Sequence, residues 1–97
     1  MHEKRCLFQS FFLGGFECST QRLRNGRRID MIAATCHDRF AALDYERLAS
    51  LGIRTIRDGV RWHQIEQSPR EYDFSSVVGM LRAAAQNEMQ VIWDLCH

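Results

Sequence analysis

An arginine stands in the middle of a segment that otherwise has the composition of a buried strand. Residues 51–62 read LGIRTIRDGVRW and are rich in β-branched side chains, which suit a packed sheet. At the carboxyl end of a strand, the guanidinium of Arg57 can hold a carboxylate ionised and oriented through charge-assisted hydrogen bonds. The structural alternative is that its stem packs in the core and its head pairs with an acid such as Asp44. Both interpretations depend on the elements around it.

Strands and helices alternate along the chain. The predicted strands cover residues 11–16, 53–62 and 90–97, and the predicted helices run from a 35–38 capping box to about Leu51 and from Asp73 or Ser75 to about Asn87. One side of each helix is apolar, with Phe40, Ala41, Tyr45, Leu48 and Leu51 on the first and Val77, Leu81, Ala84 and Ala85 on the second. Residues 20–34 are predicted to form a polar, arginine-rich loop. The β-α-β-α-β order predicts an α/β fold with parallel strands.

Composition excludes several classes of function. The 97 residues are 45% hydrophobic and 26% charged, which indicates a soluble globular chain of one domain at most. A net charge of +1 provides no global field for nucleic acid or an anionic membrane, and the N-terminal apolar run is too short and interrupted to span a bilayer. The four cysteines lie far apart, so no disulfide framework, metal site or cofactor is indicated. Reduced thiols favour a cytoplasmic protein.

A resemblance to a known family rests on one string of residues, Asp44-x3-Leu48-x2-Leu51-Gly52-Ile53-Arg54-x2-Arg57-x4-Trp62-x2-Ile65. It resembles the segment from the first helix through the second strand of clan A glycoside hydrolases, particularly the β-glucosidase-type family 1. Residues 68–74, SPREYDF, are similar to the P-x-G-x-Y-D-F segment of that clan, although Glu71 stands where glycine is usual. The terminal DLCH resembles a third strand that ends in a histidine facing the sugar site.

The resemblance implies that residues 11–97 are the first three strands and two helices of a (β/α)8 TIM barrel, after a tail at residues 1–10. It places the two catalytic carboxylates of retaining glycoside hydrolysis after strands four and seven, beyond this sequence. The chain is then expected to be an inactive piece of a carbohydrate-binding enzyme that self-associates through open strand edges. A small non-catalytic α/β interaction module, which pairs through those edges, is the alternative.

Four residues are candidates for the sugar site by this resemblance. Arg57 would position the nucleophilic carboxylate, Trp62 would stack on a pyranose ring, His97 would bond a hydroxyl, and Glu17 would line the mouth. The alternatives are barrel packing for Trp62, a frayed terminus for His97 and a solvated loop acid for Glu17.

Two further groups of polar residues are interpreted without a functional role. The arginines at 22, 24, 27 and 28 surround Asn25-Gly26, which indicates a solvated turn. The pairs His37-Asp38 and Trp62-His63 have no third partner in the sequence, so no catalytic triad is assigned.

Overall fold

Parallel strands form the main sheet of the protein in a computed structural model that describes residues 7–96. The strands are β1 (Leu13–Gly15), β2 (Thr20–Arg22), β3 (Arg28–Asp30), β4 (Thr55–Arg61) and β5 (Gln90–Cys96). In the main sheet the order is β1-β4-β5, and Arg57 lies opposite Gly15 on one side and Ile92 on the other. The predicted parallel α/β arrangement is therefore confirmed.

Two longer helices pack against one face of this sheet. The helices are α1 (Met31–Ala34), α2 (His37–Ser50), α3 (Trp62–Ile65) and α4 (Ser75–Gln86). The main core combines Ala41 and Tyr45 of α2, Ile56 of β4, and Met80, Ala83 and Ala84 of α4, together with Met89. Four side chains predicted for the apolar faces are exposed instead, namely Phe40, Leu51, Leu81 and Ala85. The buried face of α4 keeps Val77 and Ala84 of the predicted face and also contains Met80 and Ala83, so the prediction is partly correct.

The start of α2 differs from the predicted capping box. The hydroxyl of Thr35 donates to the carbonyl of Met31 at 2.8 Å, and its backbone amide donates to the same carbonyl at 3.0 Å, so Thr35 is the C-cap of α1. Cys36 is the N-cap of α2, with a left-handed φ of 59° and no side-chain capping bond. The prediction of a Thr35 cap is wrong because the short helix α1 was not foreseen.

The segment predicted to be a loop contains an antiparallel hairpin. Thr20 lies opposite Asp30, and Arg22 lies opposite Arg28. Gly26 supplies a positive φ of 85° in the connection, as a tight hairpin loop requires. Asp30 then caps α1 by accepting a hydrogen bond from the amide of Ala33 at 3.1 Å.

The alternation of side chains along β4 separates two environments. Asp58 is fully buried on the side of α2, whereas the neighbouring Arg57 points to the opposite face and is 56% exposed. On that second face Leu13 and Ile92 are also exposed. Within residues 7–96, no helix is long and apolar enough to cross a membrane.

Candidate functional site

A concavity of about 270 Å³ lies at the carboxyl end of the parallel sheet. Its lining consists of Glu17, Cys18, Ser19, Thr20, Arg57, Asp94 and Leu95. These residues come from the segment after β1, from β4 and from β5, whose parallel pairing brings them to one place. We call this feature the Arg57 concavity.

Arg57 pairs with an acid on the neighbouring strand. Its Nη1 lies 3.4 Å from Oδ2 of Asp94, and both side chains are partly exposed. The thiol of Cys18 donates to the same Asp94 oxygen at 3.7 Å. The proposed structural partner Asp44 contacts His37 instead, so that alternative is wrong. Arg57 therefore lies in the open concavity and outside the core.

Glu17 is held as a carboxylate at the rim of this concavity. Both the hydroxyl and the amide of Ser19 donate to Oε1 of Glu17. These two bonds, with the charge of Arg57 as a smaller contribution, lower the pKa of Glu17 below its usual value. Glu17 is therefore ionised at neutral pH and accepts hydrogen bonds. The structure brings together Glu17 and Arg57, two of the residues predicted for the site.

The other two predicted site residues do not join them. Trp62 begins α3 directly after β4 and lies against Tyr72, with 5.9 Å between ring centroids. It lines a separate apolar groove, formed by Val60, Trp62, Phe74, Val77, Leu81, Trp93 and Leu95, which we call the apolar groove. His97 lies outside the described residues. The roles of Trp62 and His97 in sugar binding stay predictions.

A buried histidine network joins α2 to β4, and the sequence interpretation missed it. His37 contacts Asp44 through Nδ1 at 2.7 Å and Asp58 through Nε2 at 2.6 Å. The hydroxyl of Tyr45 donates to the same Asp58 oxygen at 2.5 Å, and the ring of Phe16 stacks on His37 with centroids 3.8 Å apart. The signal was the seven-residue spacing from His37 to Asp44, which is two helical turns. Asp58 comes from a distant part of the chain.

The charges of this network favour an imidazolium. Burial alone would lower the pKa of His37, but the hydrogen bonds that its ring donates to Asp58 and Asp44 outweigh burial and raise the pKa above 6.5. Burial, together with the bond to Asp58, raises the pKa of Tyr45. Because the Nδ1 and Nε2 atoms of His37 contact carboxylates on α2 and on β4, the network connects these two elements.

Arg61, and not Arg57, is the buried arginine of β4. It is 5% exposed, and it pairs with Asp30 at 3.0 Å and with Asp38 at 3.3 Å. His63 lies 3.4 Å from the same Asp30 oxygen. These ion pairs connect β3 and the start of α2 to the end of β4. The third arginine of residues 51–62 therefore has the core ion-pair role that the sequence interpretation considered for Arg57.

The Arg57 concavity offers both hydrogen-bond donors and hydrogen-bond acceptors. A guanidinium that can donate lies beside the carboxylates of Glu17 and Asp94, an arrangement suited to hydroxyl groups. Asp58 cannot join them, because it faces α2 while Asp94 lies beside Arg57. Among the described residues, no group of three His, Cys, Asp or Glu side chains could hold a metal ion.

Comparisons with known proteins agree with the architecture. No protein-family model matches the chain, and no curated protein matches it. Among solved structures, it is similar to part of the exo-β-1,4-mannosidase Op5Man5 from Opitutaceae bacterium strain TAV5, with a TM-score of 0.57 and 23% sequence identity. This likeness shows the fold. The match covers 84% of this chain and 18% of the mannosidase, so the chain has the fold of one part of a (β/α)8 barrel.

Proposed function

We propose that the chain is one part of a glycoside hydrolase barrel, β-glucosidase-like in its full length, and that the Arg57 concavity forms part of its sugar-binding wall. The observation on which this proposal rests is that the Arg57 guanidinium shares a concavity with the carboxylates of Glu17 and Asp94 at the carboxyl end of a parallel sheet. In (β/α)8 barrels, that end contains the functional site.

The chemistry of the concavity supports a polyhydroxylated ligand. The guanidinium of Arg57 donates hydrogen bonds, and the ionised carboxylate of Glu17 accepts them, so neighbouring hydroxyls of one sugar ring can be bound by both. The name of the similar solved protein, an exo-β-1,4-mannosidase, agrees with a carbohydrate ligand. Sugar binding by this wall alone should be weak, with a Kd on the order of millimolar, because the ligand is only partly enclosed.

Hydrolysis by a retaining mechanism would require residues beyond this sequence. Two carboxylates about 5 Å apart must flank the glycosidic bond, one as acid/base and one as nucleophile. We propose that Arg57 orients the nucleophilic carboxylate, which a later strand of the barrel would supply. The isolated chain should therefore bind sugar without cleaving it.

An NMR titration tests this proposal on the chain itself. Adding methyl β-glucoside to ¹⁵N-labelled protein should shift the amide signals of Glu17, Ser19, Thr20 and Arg57, and Arg57→Gln should abolish these shifts. Arg82→Gln, a change of equal charge on the exposed side of α4, should leave them unchanged. A second titration with the epimer methyl β-mannoside shows whether the chain binds the glucoside in preference to the mannoside.

Three results would overturn the proposal. The first is that amide signals shift only outside the Arg57 concavity, and the second is that the shifts persist in Arg57→Gln. The third is that the isolated chain releases nitrophenol from aryl glycosides and that this activity disappears in Glu17→Gln.

A further inference from the structure

The hairpin β2–β3 concentrates positive charge on the surface. Four of the seven residues from 22 to 28 are arginines, and no acid occurs between Gln21 and Ile29. Arg22, Arg24 and Arg27 are exposed. Among residues 7–96, none of the four guanidiniums forms an ion pair, and the cationic side chains that do are Arg57, Arg61, His37 and His63. We call this feature the arginine hairpin.

The geometry of the hairpin leaves this charge uncompensated. Arg22 and Arg28 lie directly opposite each other in the antiparallel pairing, and like charges in that position destabilise a strand pair. The only carboxylate in the hairpin is that of Asp30, which is engaged with Arg61 at 3.0 Å and with His63 at 3.4 Å. An external anion between Arg22 and Arg28 would remove the repulsion.

The arginine hairpin is continuous with the Arg57 concavity. Nη1 of Arg28 donates to the hydroxyl of Thr20 at 3.0 Å, and Thr20 lines the concavity. The other arginines, Arg22, Arg24 and Arg27, lie further along the hairpin. They extend over about 10 Å, because a strand rises about 3.3 Å per residue. A linear ligand with one unit in the concavity can therefore extend along the hairpin.

We propose that the arginine hairpin binds the carboxylate groups of a uronate-bearing polysaccharide, one residue of which occupies the Arg57 concavity. This inference rests on the proposed function, because the concavity supplies the sugar contact and the hairpin supplies the selectivity for acidic units. Guanidiniums bind carboxylates bidentately. Nucleic acid and anionic membranes fit less well, because the net charge of the chain is only +1 and the basic surface is limited to one short hairpin beside a hydroxyl-binding site.

A binding comparison with matched ligands and matched variants tests the proposal. The probes are an oligogalacturonide and the fully methyl-esterified oligomer of the same length, which differs only in charge, with binding measured by calorimetry at low salt. The test variant is Arg22→Gln/Arg24→Gln/Arg27→Gln. The control variant removes the same charge from exposed helix positions, as Arg39→Gln/Arg47→Gln/Arg82→Gln.

We expect the free acid to bind about tenfold more tightly than its ester, because three exposed ion pairs supply about that factor together. The hairpin variant should lose this difference and the control should keep it. Equal binding of acid and ester, or equal loss in both variants, would overturn the proposal. So would tighter binding of a DNA duplex or of anionic vesicles at equal charge concentration.

The same experiment distinguishes failure of the proposed function from failure of this inference. If the acid oligomer binds through the hairpin while amide signals in the Arg57 concavity stay unshifted, the proposed sugar-binding wall is wrong. The hairpin would then be a surface that binds polyanions without recognising a sugar. If the neutral ester shifts those signals and the acid binds no more tightly than the ester, the sugar-binding wall is retained and only the proposed selectivity for uronates is wrong.

Discussion

At the residue scale, the buried His37 and the partly exposed His63 have opposite electrostatic environments. Burial lowers the pKa of His37, but the hydrogen bonds that its ring donates to two carboxylates outweigh burial and raise the pKa above 6.5. Burial, followed by the charge of Arg28, lowers the pKa of His63 below 6.5. Protonation therefore stabilises the fold at His37 and destabilises it at His63.

These shifts predict opposite pH dependences for two histidine variants. Because the pKa of His37 is raised, its contribution to stability is fully present below pH 6.5 and is lost as the pH rises through the folded-state pKa. His37→Gln should therefore lower the free energy of unfolding at pH 6 by about 3 to 5 kcal/mol, since it removes the positive charge that pairs with the buried carboxylate of Asp58. The deficit should shrink as the pH rises, which urea unfolding between pH 6 and 9 measures.

His63→Gln is the matched control, because the change of its stability deficit with pH should have the opposite sign. The pKa of His63 is lowered, so its contribution is present above pH 6.5 and falls as the pH drops below that value. The stability deficit of this variant relative to the wild type should therefore shrink as the pH falls below 6.5, which is the opposite of the trend expected for His37→Gln. A deficit of His37→Gln that is constant with pH would show that His37 is neutral in the folded protein.

At the element scale, the two long helices end in the same way but with different residues. After α2, the amide of Ile53 donates to the carbonyl of Leu48 and Gly52 has a φ of 81°. After α4, the amide of Met89 donates to the carbonyl of Ala84 and Glu88 has a φ of 52°. Both are Schellman motifs, and only the first has glycine at its left-handed position.

This difference predicts opposite effects of exchanging the two residue types. Glu88→Gly should raise the free energy of unfolding by about 1 kcal/mol, because a left-handed conformation is unfavourable for a residue with a Cβ. Gly52→Ala should lower it by about the same amount. Glu88→Gln separates this effect from the removal of a negative charge near a helix C-terminus. Chemical denaturation measures all three, and a Glu88→Gly protein no more stable than Glu88→Gln would contradict the backbone explanation.

The sequence predicted the elements whose signal is local. The strands β4 and β5 and the helices α2 and α4 were predicted because runs of β-branched residues and a helical apolar period are properties of neighbouring residues. The hairpin was missed because its strands have only three residues each and lack apolar alternation. Which helix face is buried also depends on tertiary packing, and so the predicted face of α4 was partly wrong.

The candidate site was predictable to a smaller extent. Arg57 and Glu17 were selected through a resemblance, and the parallel register of β1 and β4 brings them together. The contact of His37 with Asp58 joins residues 21 positions apart, and no local pattern indicates it. Whether Arg57 or Arg61 is buried depends on the ends of the hairpin and of α2, which supply the partners of Arg61.

At the scale of the whole molecule, large apolar surfaces remain uncovered. Leu95 is 75% exposed and Leu81 is 48% exposed in the apolar groove, where Phe74 is also exposed. Within residues 7–96, β1 and β5 each pair with β4 alone, so each leaves one edge free. Open strand edges beside apolar side chains favour pairing with another chain.

We expect the isolated chain to self-associate through the apolar groove and the free edge of β5. Leu81→Lys/Leu95→Lys should therefore convert concentration-dependent oligomers into monomers, because buried lysines would have no partner in the interface. The control Leu43→Lys/Leu51→Lys replaces leucines that are 43% and 75% exposed on and after α2, away from the groove, and should leave association unchanged. Sedimentation velocity over a hundredfold range of concentration measures the result. A wild-type chain that sediments as a compact monomer throughout, and that unfolds in one sharp transition, would show that three strands and two long helices form a self-sufficient fold.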